Sequence, residues 1–176
     1  MAHHAARMNG REDRMSKYLI REIQPHELGI LEDMLYEAIF QPDENNLLPR
    51  EVIKQPKIGV YIDNWGKPDD LCLVADVDRK IIGAVWTRIL AGNIKGYGNI
   101  DDQTPEFAIS LFKEYRGKGI GTVLMKMMIE KLKEHGYKQV SLSVAKDNYA
   151  LKMYKNVGFE IFTEQEHDYL MLLDLN

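Results

Sequence analysis

The residues best suited to chemistry in this chain lie together in the stretch Tyr115-Arg116-Gly117-Lys118-Gly119-Ile120-Gly121-Thr122. Glycines at alternate positions leave no Cβ between a ligand and the backbone, and they allow φ > 0 where a tight turn requires it. An apolar-periodic helix begins inside the stretch. Its free N–H groups and positive dipole end point back at the loop, an arrangement that suits a phosphate. Arg116 and Lys118 add positive charge. Two readings stand side by side: an anion-binding loop, and a Gly-rich turn from strand to helix with solvated basic side chains. A Walker loop would need Ser or Thr after the lysine, and Gly119 stands there instead. A dinucleotide fingerprint would need Gly-x-Gly-x-x-Gly, which the alternate glycines do not supply.

Other reactive side chains are sparse. His26, His135 and His167 are scattered without ligand spacing, so no metal site is expected. The single cysteine, Cys72, cannot form an internal disulfide and reads as a small core residue. The chain of 176 residues suits one domain, and its 45% apolar and 28% charged content is that of a globular protein. A formal net charge of −4 offers no bulk attraction to nucleic acid or to an anionic membrane. No apolar run approaches the ~20 residues a bilayer span requires. A cytoplasmic location is the expectation, with neither nucleic acid nor membrane as partner.

The elements that must position the loop follow from periodicity. Residues 1–14 have almost no large apolar side chains and no period, and read as a disordered leader, native or added; residues 15–176 read as one domain. Alternation predicts a first strand over Lys17 to Ile23, and three- and four-residue spacing predicts a helix over Pro25 to Phe40. A second helix, Arg50 to Tyr61, is interrupted by Pro56. Strands over Leu71 to Val77 and Ile81 to Ile89 form an antiparallel hairpin, and a Gly-rich loop leads to a fourth strand over Thr104 to Leu111. Leu124, Met128 and Leu132 share one face of a helix over Gly119 to His135, with Gly136 at its C′ position. A fifth strand over Gln139 to Val144 precedes a helix capped by Asp147 or Asn148 and ended by Gly158. Phe159 to Thr163 and Tyr169 to Leu175 close as a hairpin.

Arg-x-x-Gly-x-Gly from Arg116 to Gly121, the strand Glu106-Phe107-Ala108-Ile109-Ser110-Leu111 that feeds it, Ser141-Leu142-Ser143-Val144 followed by Asn148-Tyr149-Ala150, and the ending Leu151 through Tyr154 to Gly158-Phe159 occur in that order. Together they resemble the GNAT superfamily of acyl-CoA-dependent N-acetyltransferases over about Tyr18 to Leu175. The resemblance implies an α+β fold: a mixed, mostly antiparallel sheet of six to seven strands, splayed between the fourth and fifth, with four flanking helices. It implies acetyl-CoA as acyl donor, with pyrophosphate on the N–H groups of Gly117, Lys118, Gly119, Ile120, Gly121 and Thr122 beside Arg116, and the Thr122 hydroxyl as a further donor. Pantetheine would pair with the fourth strand at Ile109, Ser110 and Leu111, and Asn148 would reach the cofactor or simply cap its helix.

The resemblance also implies roles. Tyr154 matches the family's general acid, and it equally suits a core aromatic sharing a helical face with Ala150 and Val157. A backbone N–H near Leu111 would face the oxyanion. Glu106 would be the base, or an ordinary strand-end carboxylate. The acceptor site would gather Phe40, Asp43, Glu44, Tyr97, Asp101 and Asp102 near Trp86 and Arg88, a setting for a cationic amine. The expected activity is transfer of an acetyl group from acetyl-CoA to a primary amine of a small molecule or peptide, by direct attack in a ternary complex. The alternatives are a non-catalytic acyl-CoA-binding module and a transferase with a longer acyl donor. A homodimer is one assembly compatible with the sequence.

Overall fold

Alternation along the central strands divides the side chains between two cores. The computed structural model describes residues 17–176; the reading of residues 1–14 lies outside the described residues. In β2 (Leu71–Val77), Leu73, Ala75 and Val77 enter one core while Cys72 and Val74 enter the other. In β3 (Lys80–Arg88), Val85 faces the first core and Ala84 and Trp86 face the second. A strand buried on both faces must be central in its sheet. The sheet has seven strands in the order β1-β2-β3-β4-β5-β7-β6, with β1 (Tyr18–Glu22), β4 (Glu106–Leu111), β5 (Gln139–Ala145), β6 (Glu160–Glu164) and β7 (Asp168–Asp174). Every pairing is antiparallel except β4 with β5. The expected α+β class and the splayed fourth and fifth strands are therefore observed.

One face carries α1 (Ile30–Ala38) and the single turn α2 (Pro56–Gly59). The helix expected from Pro25 begins instead as a separate 3₁₀ turn, Pro25–Glu27, and α1 starts after Gly29. The break expected at Pro56 is present, between a 3₁₀ turn over Arg50–Lys54 and α2. The other face carries α3 (Ile120–Glu134) and α4 (Ala150–Val157). Leu124, Met125, Met128 and Leu132 of α3 are fully buried, each worth roughly 1.5–3 kcal/mol relative to exposure. The helix ends where Gly136 takes φ +81°, with Tyr137 N–H bonded to Leu132 C=O at 3.2 Å. That is the six-to-one bond of a Schellman cap, and it directs the chain back toward β5.

Candidate active site

The site grows from a mismatch between β4 and β5. These strands meet at one register pair, Glu106 with Ser141, where Ser141 N–H donates to Pro105 C=O at 3.0 Å. Beyond that point they diverge. Phe112 N–H donates to Ile82 C=O at 3.0 Å, so backbone alternation turns Ala108 and Ser110 toward β3 and turns Ile109 and Leu111 toward the gap. Ile109 N–H and C=O and Leu111 N–H are thus left as an open ladder edge. Such groups demand a partner, and an extended ligand with amides supplies one.

This alternation turns Ser110 away from the gap. Its backbone belongs to the β3 ladder, and its buried hydroxyl donates to Met34 C=O at 2.6 Å on the α1 face. It therefore offers the gap nothing.

The Gly-rich loop lies between the end of β4 and the start of α3. Gly117 (φ +73°) and Gly119 (φ +85°) hold left-handed backbone, and a Cβ on either would meet no protein atom within 4 Å. The space above them is open. Gly121 is different: it is helical, and a Cβ there would touch Leu111 Cδ1 and Met153 Sδ at 3.6 Å. It lets α3 sit close to β4 and α4. The first backbone bond of α3 is Val123 N–H to Gly119 C=O at 3.3 Å, which leaves the N–H groups of Ile120, Gly121 and Thr122 without backbone acceptors. Lys118 stays exposed beside them. Arg116 does not point at the loop: its Nε donates to Leu111 C=O at 2.9 Å, and its guanidinium pairs with Glu37 of α1 at 2.8 Å. Its charge is committed to fastening the end of β4.

Glu106 sits at the other end of the gap, 3% exposed. Its Oε1 accepts Gly98 N–H at 3.0 Å, and its Oε2 accepts the hydroxyl of Tyr61. The side chain of Arg88, its register partner on β3, makes no ion pair with it. Arg88 instead pairs with buried Asp70 at 2.9 Å and donates to the carbonyls of Val60 and Asp63. Burial without a paired cation pushes the Glu106 carboxyl up to about 7, outweighing the two hydrogen bonds that lower it.

Tyr154 lies on α4, half-buried, with its ring edge-on to Phe159 at 6.1 Å; Phe159 is edge-on to Phe107 at 6.0 Å. Burial pushes the phenol up, so it stays protonated at neutral pH. Its hydroxyl bonds to no side chain or backbone group among the described residues. Asn148 does cap: its Oδ1 accepts Ala150 N–H at 2.9 Å, and the residue also lines a shallow hollow with Leu151, Lys152 and Asn156.

Two members of the expected acceptor cluster are withdrawn into the interior. Trp86 is buried, its Nε1 donating to Tyr61 C=O at 3.1 Å, and Arg88 is sealed with Asp70. Glu44 pairs with Lys113, Asp43 caps Asn45, and Asp101 accepts Gln103 and Thr104 N–H. Tyr97 remains exposed near Tyr61, its N–H donating to the Tyr61 hydroxyl at 2.9 Å. Sequence reasoning does not single out Tyr61, and no local motif marks it. Among the described residues, no cluster of metal-ligating side chains forms, and no helix is long and apolar enough to cross a membrane.

Comparison with known proteins agrees with this geometry. The chain is 31% identical over 113 residues to an N-alpha-acetyltransferase of Sulfurisphaera tokodaii, covering 62% of this chain and 68% of that relative. It is 32% identical over 94 residues to the probable N-acetyltransferase camello of Xenopus laevis, covering 52% of this chain and 40% of that longer protein. The fold superposes on the PaiA N-acetyltransferase of Thermoplasma acidophilum in complex with coenzyme A, at TM-score 0.65 and 20% identity over 89% of this chain and 98% of that one. The family profile of the Acetyltransferase (GNAT) family matches residues 33–159. A splayed β4–β5 pair, a glycine loop opening a helix and a family match spanning both place this chain in the GNAT family of acetyltransferases.

Proposed function

We propose that this acetyltransferase moves the acetyl group of acetyl-CoA to a primary amine of a small molecule or peptide, by direct attack with both substrates bound. The observation that carries the reading is the open ladder edge at Ile109 and Leu111, which runs toward the free N–H groups of Ile120, Gly121 and Thr122. An extended amide chain ending in a pyrophosphate has the shape and chemistry to satisfy both. When bound, acetyl-CoA supplies the activated thioester. Ile109 pairs with the pantetheine amides. Gly117, Gly119 and the start of α3 hold the pyrophosphate, with Lys118 and the Thr122 hydroxyl beside it. Leu111 N–H stabilises the charge that develops on the thioester oxygen. Tyr154, protonated and without a protein acceptor, gives its proton to the departing thiolate. Glu106 takes the proton of the attacking amine, its carboxyl poised near neutrality. Similarity to an N-alpha-acetyltransferase favours an α-amine as acceptor.

The test is a panel of alkylamines and short peptides with acetyl-CoA, following thiol release and the mass of the product. Amine-dependent thiol release with a gain of one acetyl group is expected. Tight acetyl-CoA binding with no thiol release across the panel would overturn the reading in favour of a binding module.

A further inference from the structure

Glu106 has no open route to an acceptor. Gly96 and Gly98 lie directly against it: a Cβ on Gly96 would collide with Glu106 Oε1, and one on Gly98 would sit 3.1 Å from its Cδ. What stands against its other oxygen is the Tyr61 phenol. That phenol is unusually well held. Trp86 Nε1 donates to the Tyr61 carbonyl at 3.1 Å, and Arg88 ties down the carbonyls of Val60 and Asp63 at 2.9 and 2.8 Å. Tyr61 Oη donates to Glu106 and accepts Tyr97 N–H at 2.9 Å, so one of its two lone pairs stays unused. Tyr61 is only part-buried and borders exposed Tyr97, whereas Glu106 is sealed.

We propose that Tyr61 receives the proton of the acceptor amine and passes its own phenolic proton to Glu106. The proposal rests on Glu106 as the final proton acceptor in the reading above. As the amine nitrogen forms its bond to the thioester carbon, its N–H proton moves to the free lone pair of Tyr61 Oη. The Tyr61 O–H proton moves to Glu106 Oε2. The phenol is neutral before and after, and the carboxylate ends protonated, so charge and protons balance. Of the charged groups on the elements that hold this pair, Arg88 of β3 and Asp70 of the turn before β2 neutralise each other. From the loop, Tyr97 and Gly98 contribute only backbone N–H groups to the pair.

The experiment compares Tyr61→Phe, Glu106→Gln and the double variant with acetyl-CoA and the fastest amine of the panel, across pH. Each single variant is expected to lose about 100-fold in kcat/KM and the inflection near neutral pH, with acetyl-CoA affinity near wild type and, at pH 5, a melting temperature near wild type. The double variant is expected to be no worse than the poorer single one, because both remove the same transfer. Wild-type kcat/KM in Tyr61→Phe alongside a depressed Glu106→Gln overturns the relay and leaves Glu106 as base. Losses that multiply in the double variant also overturn it. Wild-type rates in both, or no turnover with any amine, overturn the underlying reading. If Tyr61→Phe does not fold, kcat/KM of the wild type in mixtures of H₂O and D₂O decides: two moving protons give a bowed dependence, and a straight line overturns the relay.

Discussion

Tyr61 and Glu106, 45 residues apart in the chain, share a hydrogen bond in which the phenol donates to a carboxyl that has no cation of its own. The consequence for stability has a definite sign. The folded carboxyl titrates near 7, above its ordinary value of 4.5. The folded state therefore holds the proton more tightly than the unfolded chain. Stability from this group is fully present below about pH 4.5 and is lost as pH rises through about 7. Urea unfolding at pH 5 and pH 8 should show the wild type losing up to about 3 kcal/mol that Glu106→Gln does not lose.

Gly119 and Gly121 should respond differently to the same methyl group. Gly119 holds φ +85°, so Gly119→Ala carries a left-handed strain of about 1 kcal/mol and puts a Cβ into the open space over the loop. Calorimetry should show weakened CoA binding. Gly121 is helical with only ordinary contacts awaiting a Cβ, so Gly121→Ala should fold and bind CoA close to wild type.

Tyr154→Phe keeps the edge-on contact with Phe159 and deletes a hydroxyl that has no partner among the described residues. Melting temperature and CoA affinity should stay near wild type. Turnover, followed by thiol release, should fall about 100-fold, roughly 2.7 kcal/mol of barrier.

Asp70 and Arg88 are 2% and 3% exposed at their side chains and form a buried ion pair. Asp70→Asn leaves the guanidinium charge uncompensated and should cost about 3–5 kcal/mol in a denaturant titration. Replacing both, as Asp70→Leu with Arg88→Met, should recover much of that loss. The double variant also frees the turn that carries Tyr61, so its turnover should stay low although its stability returns.

Local patterns determined most of the architecture. The alternation of Leu71 to Val77, the α3 stripe through Leu124, Met128 and Leu132, and the stops at Gly136 and Gly158 are all properties of a few consecutive residues. The glycine loop was legible for the same reason, since backbone freedom and helix N–H groups belong to the segment itself. What the loop's basic residues do was decided in three dimensions: Arg116 found Glu37 and the Leu111 carbonyl, while Lys118 stayed exposed. The same holds for Ser110, whose side of the strand depends on register with β3. Of the acidic residues read as an acceptor surface, Glu44 pairs with Lys113, and Asp43 and Asp101 accept local backbone N–H groups. Tyr61 is the clearest case. A tyrosine after a one-turn helix carries no periodic signal, and only the folded chain, with Trp86 and Arg88 holding its turn, sets its hydroxyl against Glu106. A hydrogen bond across such a separation is a property of packing, and packing is where the sequence pattern stops being local.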